Sequence, residues 1–241
     1  MKFIIIAWML VCCFGSFNVH ALAPEEIKQI IQKARPDLPV IAVRESEISG
    51  VYAAELQGGY TLYFSRDGKY FISGELYTIE NNQFVSVREL RLKPLRREQL
   101  HQQDDAELLV FSPPEDQIKA TVWVFTDIDC GWCRKLHQEI PAFNKQGIAV
   151  KYLAYPQAGL SSDSYTKVVS AWCSDSPKEA LTRAKAGQSI PVKVCPNPVA
   201  KQYYLGKELG VSGTPAVIYE DGTLQSGYVN AVELARRLGI N

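Results

Sequence analysis

The sequence predicts an α+β protein in two parts, a small helix-plus-antiparallel-sheet unit followed by a larger α/β unit. Residues 41–84 carry short alternating apolar runs separated by Gly-Gly and Asp-Gly pairs, which are typical of hairpins. From residue 107 onward, continuous apolar β runs alternate with helical patterns, which indicates a βαβ unit. With 46% hydrophobic residues, and 26 Lys and Arg against 26 Asp and Glu, the chain is an ordinary globular protein without the basic excess of a nucleic-acid binder.

The N-terminal segment predicts export. Lys2 provides a positive start, and residues 3–14 form an apolar run shorter than the ~20 residues of a membrane-spanning helix. Small-x-small sites ending at Ala21 and Ala23 follow this run. We therefore expect a signal peptide over residues 1–21. An uncleaved anchor, or a lipoprotein signal ending at Cys12 or Cys13, is the less favoured alternative.

The first folded unit spans residues 22–84. Residues 24–35 form an amphipathic pattern with Pro24 and two acids at its start, which predicts a helix. Short β runs follow, joined by predicted hairpin turns at Gly58-Gly59 and Asp67-Gly68. The many aromatic residues of this unit can form its own core or be covered by a second copy. Residues 85–105 are strongly polar and predict a partly helical linker, which we expect Pro94 to interrupt.

The second unit, residues 106–241, is expected to be α/β. Residues 121–125 predict a buried strand, and a helix with apolar residues Trp132, Leu136, Ile140 and Phe143 follows until Gly147. Residues 148–155 predict the next strand, which completes a βαβ unit. Residues 163–210 are mostly helical in pattern. A strand at 215–219, a hairpin mate at 223–228 and a helix at 232–238 end the chain.

Four cysteines remain once the predicted signal peptide is set aside. They allow three pairings, and the C-x-x-C spacing of Cys130 and Cys133 favours pairing these two, with Cys173 paired to Cys195. A zinc site is disfavoured because structural sites usually contain two short-spaced pairs. We therefore expect no bound metal.

The C-x-x-C motif follows a strand and opens a helix, the arrangement of a thioredoxin-like redox domain. A thiol in the first helical turn faces unsatisfied backbone N–H groups, which favour its thiolate form. Cys130 is thus the predicted attacking thiolate. Cys133, one turn further, is the predicted resolving thiol. An inert disulfide or half of a metal site is the alternative.

Several motifs resemble the DsbC family of periplasmic disulfide isomerases. They are residues 125–133 (FTDIDCGWC), 152–156 (YLAYP), 171–173 (AWC) and 209–216 (LGVSGTPA). The resemblance implies an N-terminal dimerisation domain, a linker helix and a thioredoxin fold with a helical insertion. It further implies a periplasmic homodimer that needs no cofactor, is kept reduced by a DsbD-like membrane reductase and acts on misfolded disulfide-containing exported proteins.

The resemblance also assigns roles to single residues. Cys130 is the nucleophile and Cys133 resolves, while Thr214 and Pro215 form a cis-proline loop that binds the substrate chain. By sequence alone, Thr214-Pro215 predicts only a turn. Cys173 and Cys195 match the family's structural disulfide, with a second redox couple as the alternative.

Three further positions lie near the motif. Trp132 stands where the family commonly has Tyr, and it either gates the site or contacts substrate. Asp129 stands where a neutral residue is usual, so we expect it to raise the pKa of the thiol. His137 lies about two helical turns past Cys130, and a surface or packing role is favoured over a charge near the site.

The leading functional hypothesis is a disulfide isomerase. A DsbG-like reductase is the second hypothesis, although such proteins lack the second cysteine pair and usually have Pro inside the C-x-x-C. A DsbA-like oxidase is weaker, because that family has no N-terminal domain of this kind. A holdase chaperone without redox chemistry is the non-enzymatic alternative.

Overall fold

The computed structural model describes residues 22–56 and 60–240. The predicted signal peptide and the predicted Gly58-Gly59 turn lie outside these residues. None of the helices within the described ranges is long and apolar enough to cross a membrane.

The first unit consists of one helix packed on a four-stranded antiparallel sheet. Helix α1 (Pro24–Ala34) precedes strands β1 (Val40–Glu45), β2 (Val51–Leu56), β3 (Thr61–Ser65) and β4 (Phe71–Ser73), in the order β1-β2-β3-β4. Ile27 and Ile31 of α1 pack on Tyr52, Leu62 and Phe64 of the sheet. The predicted Asp67-Gly68 turn is confirmed, since Gly68 has a φ of +67° and donates to the Ser65 carbonyl at 2.9 Å.

A second hairpin, which the sequence analysis did not separate, precedes the long helix. Strands β5 (Tyr77–Glu80) and β6 (Gln83–Ser86) pair antiparallel. The turn residues Asn81 and Asn82 both have positive φ, a conformation that asparagine tolerates better than other non-glycine residues.

Helix α2 (Val87–His101) runs without a break through Pro94, so the expected interruption is wrong. A proline inside a helix costs about 3 kcal/mol through a lost hydrogen bond and a clash. The Ser86 side chain caps the start of the helix, and the fully buried Arg96 donates to the Leu209 carbonyl at 2.8 Å and to both oxygens of Glu89. Charge-assisted bonds of this kind contribute about 1.5–3 kcal/mol each, enough to offset the proline.

The second unit is a five-stranded sheet covered by helices. Strands β7 (Leu109–Phe111), β8 (Ala120–Thr126), β9 (Ile148–Ala154), β10 (Ala216–Tyr219) and β11 (Leu224–Ser226) are arranged β11-β10-β8-β9-β7. Only the β8–β9 pair is parallel, as the predicted βαβ unit requires. The helices are α3 (Gly131–Gln138), α4 (Ile140–Lys145), α5 (Asp163–Trp172), α6 (Pro177–Lys185), α7 (Val199–Glu208) and α8 (Ala231–Arg237).

The helix after the C-x-x-C motif differs from its prediction in two respects. It is divided at Glu139 into α3 and α4, because Pro141 has no N–H to donate to the carbonyl four residues earlier. At this break, the Glu139 side-chain carboxylate accepts hydrogen bonds from the Tyr228 hydroxyl and from the Ala231 backbone N–H. Trp132, expected on the apolar face, is 63% exposed, whereas Leu136 and Phe143 are buried as predicted.

Candidate functional site

Two thiols of different exposure lie where strand β8 passes into helix α3. Cys130 is the N-cap residue of α3 and is partly exposed, whereas Cys133 lies one turn inside and is fully buried. Both are free thiols in the structure. Cys130 has an extended backbone at the N-cap position, next to the first N–H groups of the helix, which have no partner within it.

These surroundings shift the pKa values of the two thiols in opposite directions. A hydrogen bond from the Cys133 thiol is the largest contribution that lowers the pKa of Cys130, to about 5, and hydrogen bonding with Thr214 and with the backbone N–H groups of Cys133 and Trp132 adds to it. Burial raises the pKa of Cys133 far above its usual value, and the same hydrogen bond to Cys130 raises it further. At neutral pH, Cys130 is therefore the thiolate and Cys133 keeps its proton.

The Thr214-Pro215 segment lies against Cys130. The peptide bond between them is cis, and the Thr214 carbonyl is 3.3 Å from Cys130 Sγ, close enough to accept a hydrogen bond from the protonated thiol. The Thr214 hydroxyl donates to Gln157 at 3.0 Å, which ties this loop to the segment after β9. The structure thus brings Thr214, 84 positions away in the chain, and its cis peptide bond with Pro215 next to Cys130.

An aromatic pair, the exposed Trp132 and the half-buried Tyr228, lies next to the two thiols. The Trp132 ring stacks on Tyr228 with ring centroids 5.6 Å apart and an interplanar angle of 26°. The Tyr228 hydroxyl donates to Glu139, and this bond raises the pKa of Tyr228 to about 12. Sequence analysis assigned Tyr228 only to the end of a strand, because nothing in the sequence indicates which aromatic residue meets Trp132.

Asp129 is paired with two cations. Its carboxylate accepts hydrogen bonds from Lys167 at 2.9 and 3.0 Å and from Arg134 at 3.3 Å. These two cations offset the negative charge next to Cys130, whose pKa is lowered overall by other groups. That Asp129 by itself raises the pKa of the thiol stays a prediction.

The other two cysteines of the described residues form a disulfide. Cys173 follows the last residue of α5 and joins Cys195 with a Cα–Cα distance of 5.6 Å, across a sequence separation of 22. The bond closes the segment that contains α6. Within residues 22–56 and 60–240, no group of three or more His, Cys, Asp or Glu side chains is placed to hold a metal ion.

Buried polar groups lie beneath the dithiol. His137 is buried, and its ring nitrogens contact the Tyr152 hydroxyl at 3.2 Å and the Thr182 hydroxyl at 2.9 Å. Burial lowers the pKa of His137 to about 4, so His137 is neutral and packs without charging the site, and the surface part of its prediction is wrong. Lys185, at the end of α6, is also buried, and sequence reasoning missed it because a lysine in the last turn of a helix usually faces solvent.

Comparison with known proteins gives counterparts for both units. A family model described as a thioredoxin-like domain matches residues 114–239, and one described as the disulfide bond isomerase protein N-terminal domain matches residues 18–89. The thiol:disulfide interchange protein DsbC of Escherichia coli (strain K12) is 34% identical over 223 residues, which cover 92% of this chain and 90% of that protein. DsbC of Haemophilus influenzae is 38% identical over 199 residues, covering 82% and 83%.

Among solved structures, a disulfide interchange protein from Neisseria gonorrhoeae superposes with a TM-score of 0.51 at 27% identity. The match covers 57% of this chain and 96% of that one.

Proposed function

Because this chain belongs to the DsbC family of thiol:disulfide interchange proteins, and is thus a thiol–disulfide oxidoreductase, we propose that its Cys130–Cys133 dithiol rearranges non-native disulfides in exported proteins. The observation that carries this proposal is the opposed state of the two thiols. Cys130 is an accessible thiolate with a pKa of about 5, and Cys133 is a buried, protonated thiol one turn away. Disulfide exchange requires this division between an attacking and a resolving sulfur.

The proposed reaction starts at Cys130. Its thiolate attacks one sulfur of a substrate disulfide, the substrate S–S bond breaks, and the second substrate sulfur leaves as a thiolate. The resulting mixed disulfide has two exits. In isomerisation, another substrate thiolate attacks the bonded substrate sulfur and Cys130 departs as a thiolate, with no net oxidation. In reduction, Cys133 attacks Cys130, the substrate departs with both of its sulfurs reduced, and the dithiol becomes a disulfide.

The loop and the aromatic pair supply a place for the substrate chain. We assign substrate contact to Thr214 and Pro215, because their cis segment lies against Cys130, where a substrate sulfur must bind. Trp132 joins them as an exposed ring held in one orientation by its stacking on Tyr228. A large flat apolar surface of this kind suits unfolded chains of varied sequence.

We assign dimerisation to the first unit, residues 22–84. Residues 85–105 are the linker, and residues 106–241 are the catalytic domain. Strand β4 is an edge of its sheet within the described residues, and its Phe71 and Ile72 are exposed next to the exposed Tyr70. Contiguous exposed apolar side chains of this kind mark interaction surfaces. They support a homodimer.

We further assign the protein to the periplasm, with residues 1–21 as signal peptide, and expect a DsbD-like membrane reductase to keep it reduced.

The test is reactivation of a substrate enzyme with scrambled disulfides by catalytic amounts of the purified mature protein in a glutathione buffer. Reactivation that disappears in Cys130→Ala is the expected result. Binding of unfolded chains, measured by suppressed aggregation, should persist in that variant. Failure of the wild type to reactivate the substrate, although its C-x-x-C can be reduced, would refute the isomerase and favour a DsbG-like reductase or a pure chaperone.

A further inference from the structure

A buried cation lies at the end of strand β8, a few residues before the dithiol motif. Lys185 is only 3% exposed, and its Nζ donates to the Thr126 hydroxyl at 2.8 Å and to the Asp127 carbonyl at 3.0 Å. The Tyr152 ring lies 5.7 Å from the same nitrogen. A lysine is almost never buried this deeply unless it is paired, because transfer of an ammonium group out of water is costly.

No carboxylate forms an ion pair with Lys185 in the part of the chain that the structure describes. The nearest candidate is Asp127, but its carboxylate is taken up by other donors. It accepts from the Asp129 N–H at 2.9 Å, from the Gln157 N–H at 2.8 Å and from the Ser164 hydroxyl. The ammonium group therefore donates to the Asp127 backbone carbonyl and the Thr126 hydroxyl and to no carboxylate oxygen, although the nearby charge of Asp127 acts to raise the pKa of Lys185.

Helix α6, which carries Lys185, is docked on helix α3, which carries the resolving thiol. His137, one turn after Cys133 in α3, lies 2.9 Å from the hydroxyl of Thr182, one turn before Lys185 in α6, and the Tyr152 ring contacts both His137 and Lys185. Cys133 and Lys185 are both shielded from solvent, and charges interact more strongly there than in water. The titratable and charged groups around Lys185 come from three elements. Asp127 follows β8, Tyr152 lies in β9, and the start and first turns of α3 contribute Cys130, Cys133, Arg134 and His137.

The charges of Lys185 and of the ionised thiols shift one another's pKa values. Burial lowers the pKa of Lys185 to about 8, and the negative charge that Cys133 carries when ionised acts in the opposite direction. Reciprocally, the positive charge of Lys185 lowers the pKa of Cys133 against the larger effect of burial. His137 is neutral and supplies no competing positive charge.

We propose that Lys185 is a positioning residue of the resolving step, whose buried ammonium group stabilises the thiolate of Cys133 while a substrate is released from Cys130. This inference deepens the proposed function and rests on it. In this step Cys133 loses its proton and attacks Cys130 Sγ, forming the Cys130–Cys133 bond. The bond between Cys130 and the substrate breaks, and the substrate sulfur leaves and takes up one proton. The dithiol is oxidised and the substrate reduced, so no external oxidant is needed.

The experiment separates attack from release. A synthetic peptide disulfide that carries a fluorophore is mixed with the reduced protein, and acid-quenched samples are analysed by mass spectrometry for the mixed disulfide and for the released peptide. The key variant is Lys185→Gln, which keeps donors for Thr126 and Asp127 but removes the charge. Lys185→Arg keeps the charge, and Lys178→Gln, at an exposed position of the same helix α6, is the matched control.

We expect release in Lys185→Gln to be about tenfold slower at neutral pH, the effect of one pKa unit at Cys133, while attack by Cys130 changes less than about threefold. Lys185→Arg should recover most of the release rate, and Lys178→Gln should match the wild type. Equal release rates in Lys185→Gln and wild type would overturn the inference and leave the proposed function standing. Absence of both the mixed disulfide and the released peptide in the wild type would instead refute the proposed function.

A measurement on the wild type covers the case in which Lys185→Gln does not fold. The logarithm of the release rate is followed from about pH 6 to about pH 10, where it should rise by one unit per pH unit for a single protonated thiol. Loss of the Lys185 charge near pH 8 should flatten this rise before it resumes. An uninterrupted unit slope would contradict the inference.

Discussion

We expect the pKa of Cys130 to depend on its hydrogen bond with the Cys133 thiol, and one pair of variants tests this. The bond from Cys133 is the largest cause of the low pKa of Cys130. Cys133→Ala removes the donor. Cys133→Ser keeps a donor of nearly the same size at the same place, and it serves as the matched control.

The size of the effect follows from the strength of the bond. A hydrogen bond to a charged acceptor contributes about 1.5–3 kcal/mol, and one pKa unit corresponds to about 1.36 kcal/mol. A thiol is a weak donor and Cys130 is partly exposed to solvent, so the lower end applies. We therefore expect the pKa of Cys130 to rise by about one unit in Cys133→Ala, from about 5 to about 6, and to stay near 5 in Cys133→Ser.

The assay is the rate of alkylation of Cys130 by iodoacetamide as a function of pH. Because the folded pKa is lowered, the reactive thiolate is fully present at neutral pH and is lost as the pH falls through the folded value. In wild type the alkylation rate should fall to half of its value at neutral pH near pH 5, and in Cys133→Ala this midpoint should lie about one pH unit higher. Identical midpoints in the alanine and serine variants would refute the assignment of the hydrogen bond as the main cause.

Two further predictions concern stability. Replacing Arg96 with methionine removes its bonds to Leu209 and Glu89 and leaves a buried carbonyl unpaired, so the free energy of unfolding in urea should fall by about 3 kcal/mol. A loss below about 1 kcal/mol would contradict the anchoring of α2. Removing the Cys173–Cys195 disulfide by alanine at both positions should lower the free energy of unfolding by about 3 kcal/mol while the alkylation rate of Cys130 stays unchanged. A loss of exchange activity without a loss of stability would instead indicate a second redox couple.

The features that could be predicted from the sequence are those set by local pattern. The run at 121–125 followed directly by C-x-x-C gave strand β8 and the start of α3, because a buried parallel strand requires a continuous apolar run. Asp67-Gly68 gave its hairpin turn because its geometry requires a positive φ. The roles of Thr214 and Pro215 came from family resemblance, since the local sequence indicates only a turn.

The features that could not be predicted depend on contacts between distant segments. Helix α2 continues through Pro94 because Arg96 is anchored on Leu209, more than a hundred positions away. Asp129 is paired because α5 brings Lys167 to its carboxylate, a contact that the sequence does not indicate. Lys185 resembles any helix-terminal lysine in the sequence. Only the packing of α6 over β8 and β9 places its ammonium group in the interior.

The measurement that tests the central claim most directly is the capture of a substrate by the Cys133→Ala variant. Mixed with a scrambled-disulfide substrate, this variant should accumulate a covalent complex that reducing agent dissolves, and peptide mapping should locate the bond at Cys130. Wild type should accumulate far less, because Cys133 releases the substrate. A bond located at any other cysteine, or no complex in Cys133→Ala, would contradict the account of Cys130 as the attacking thiol and Cys133 as the resolving one.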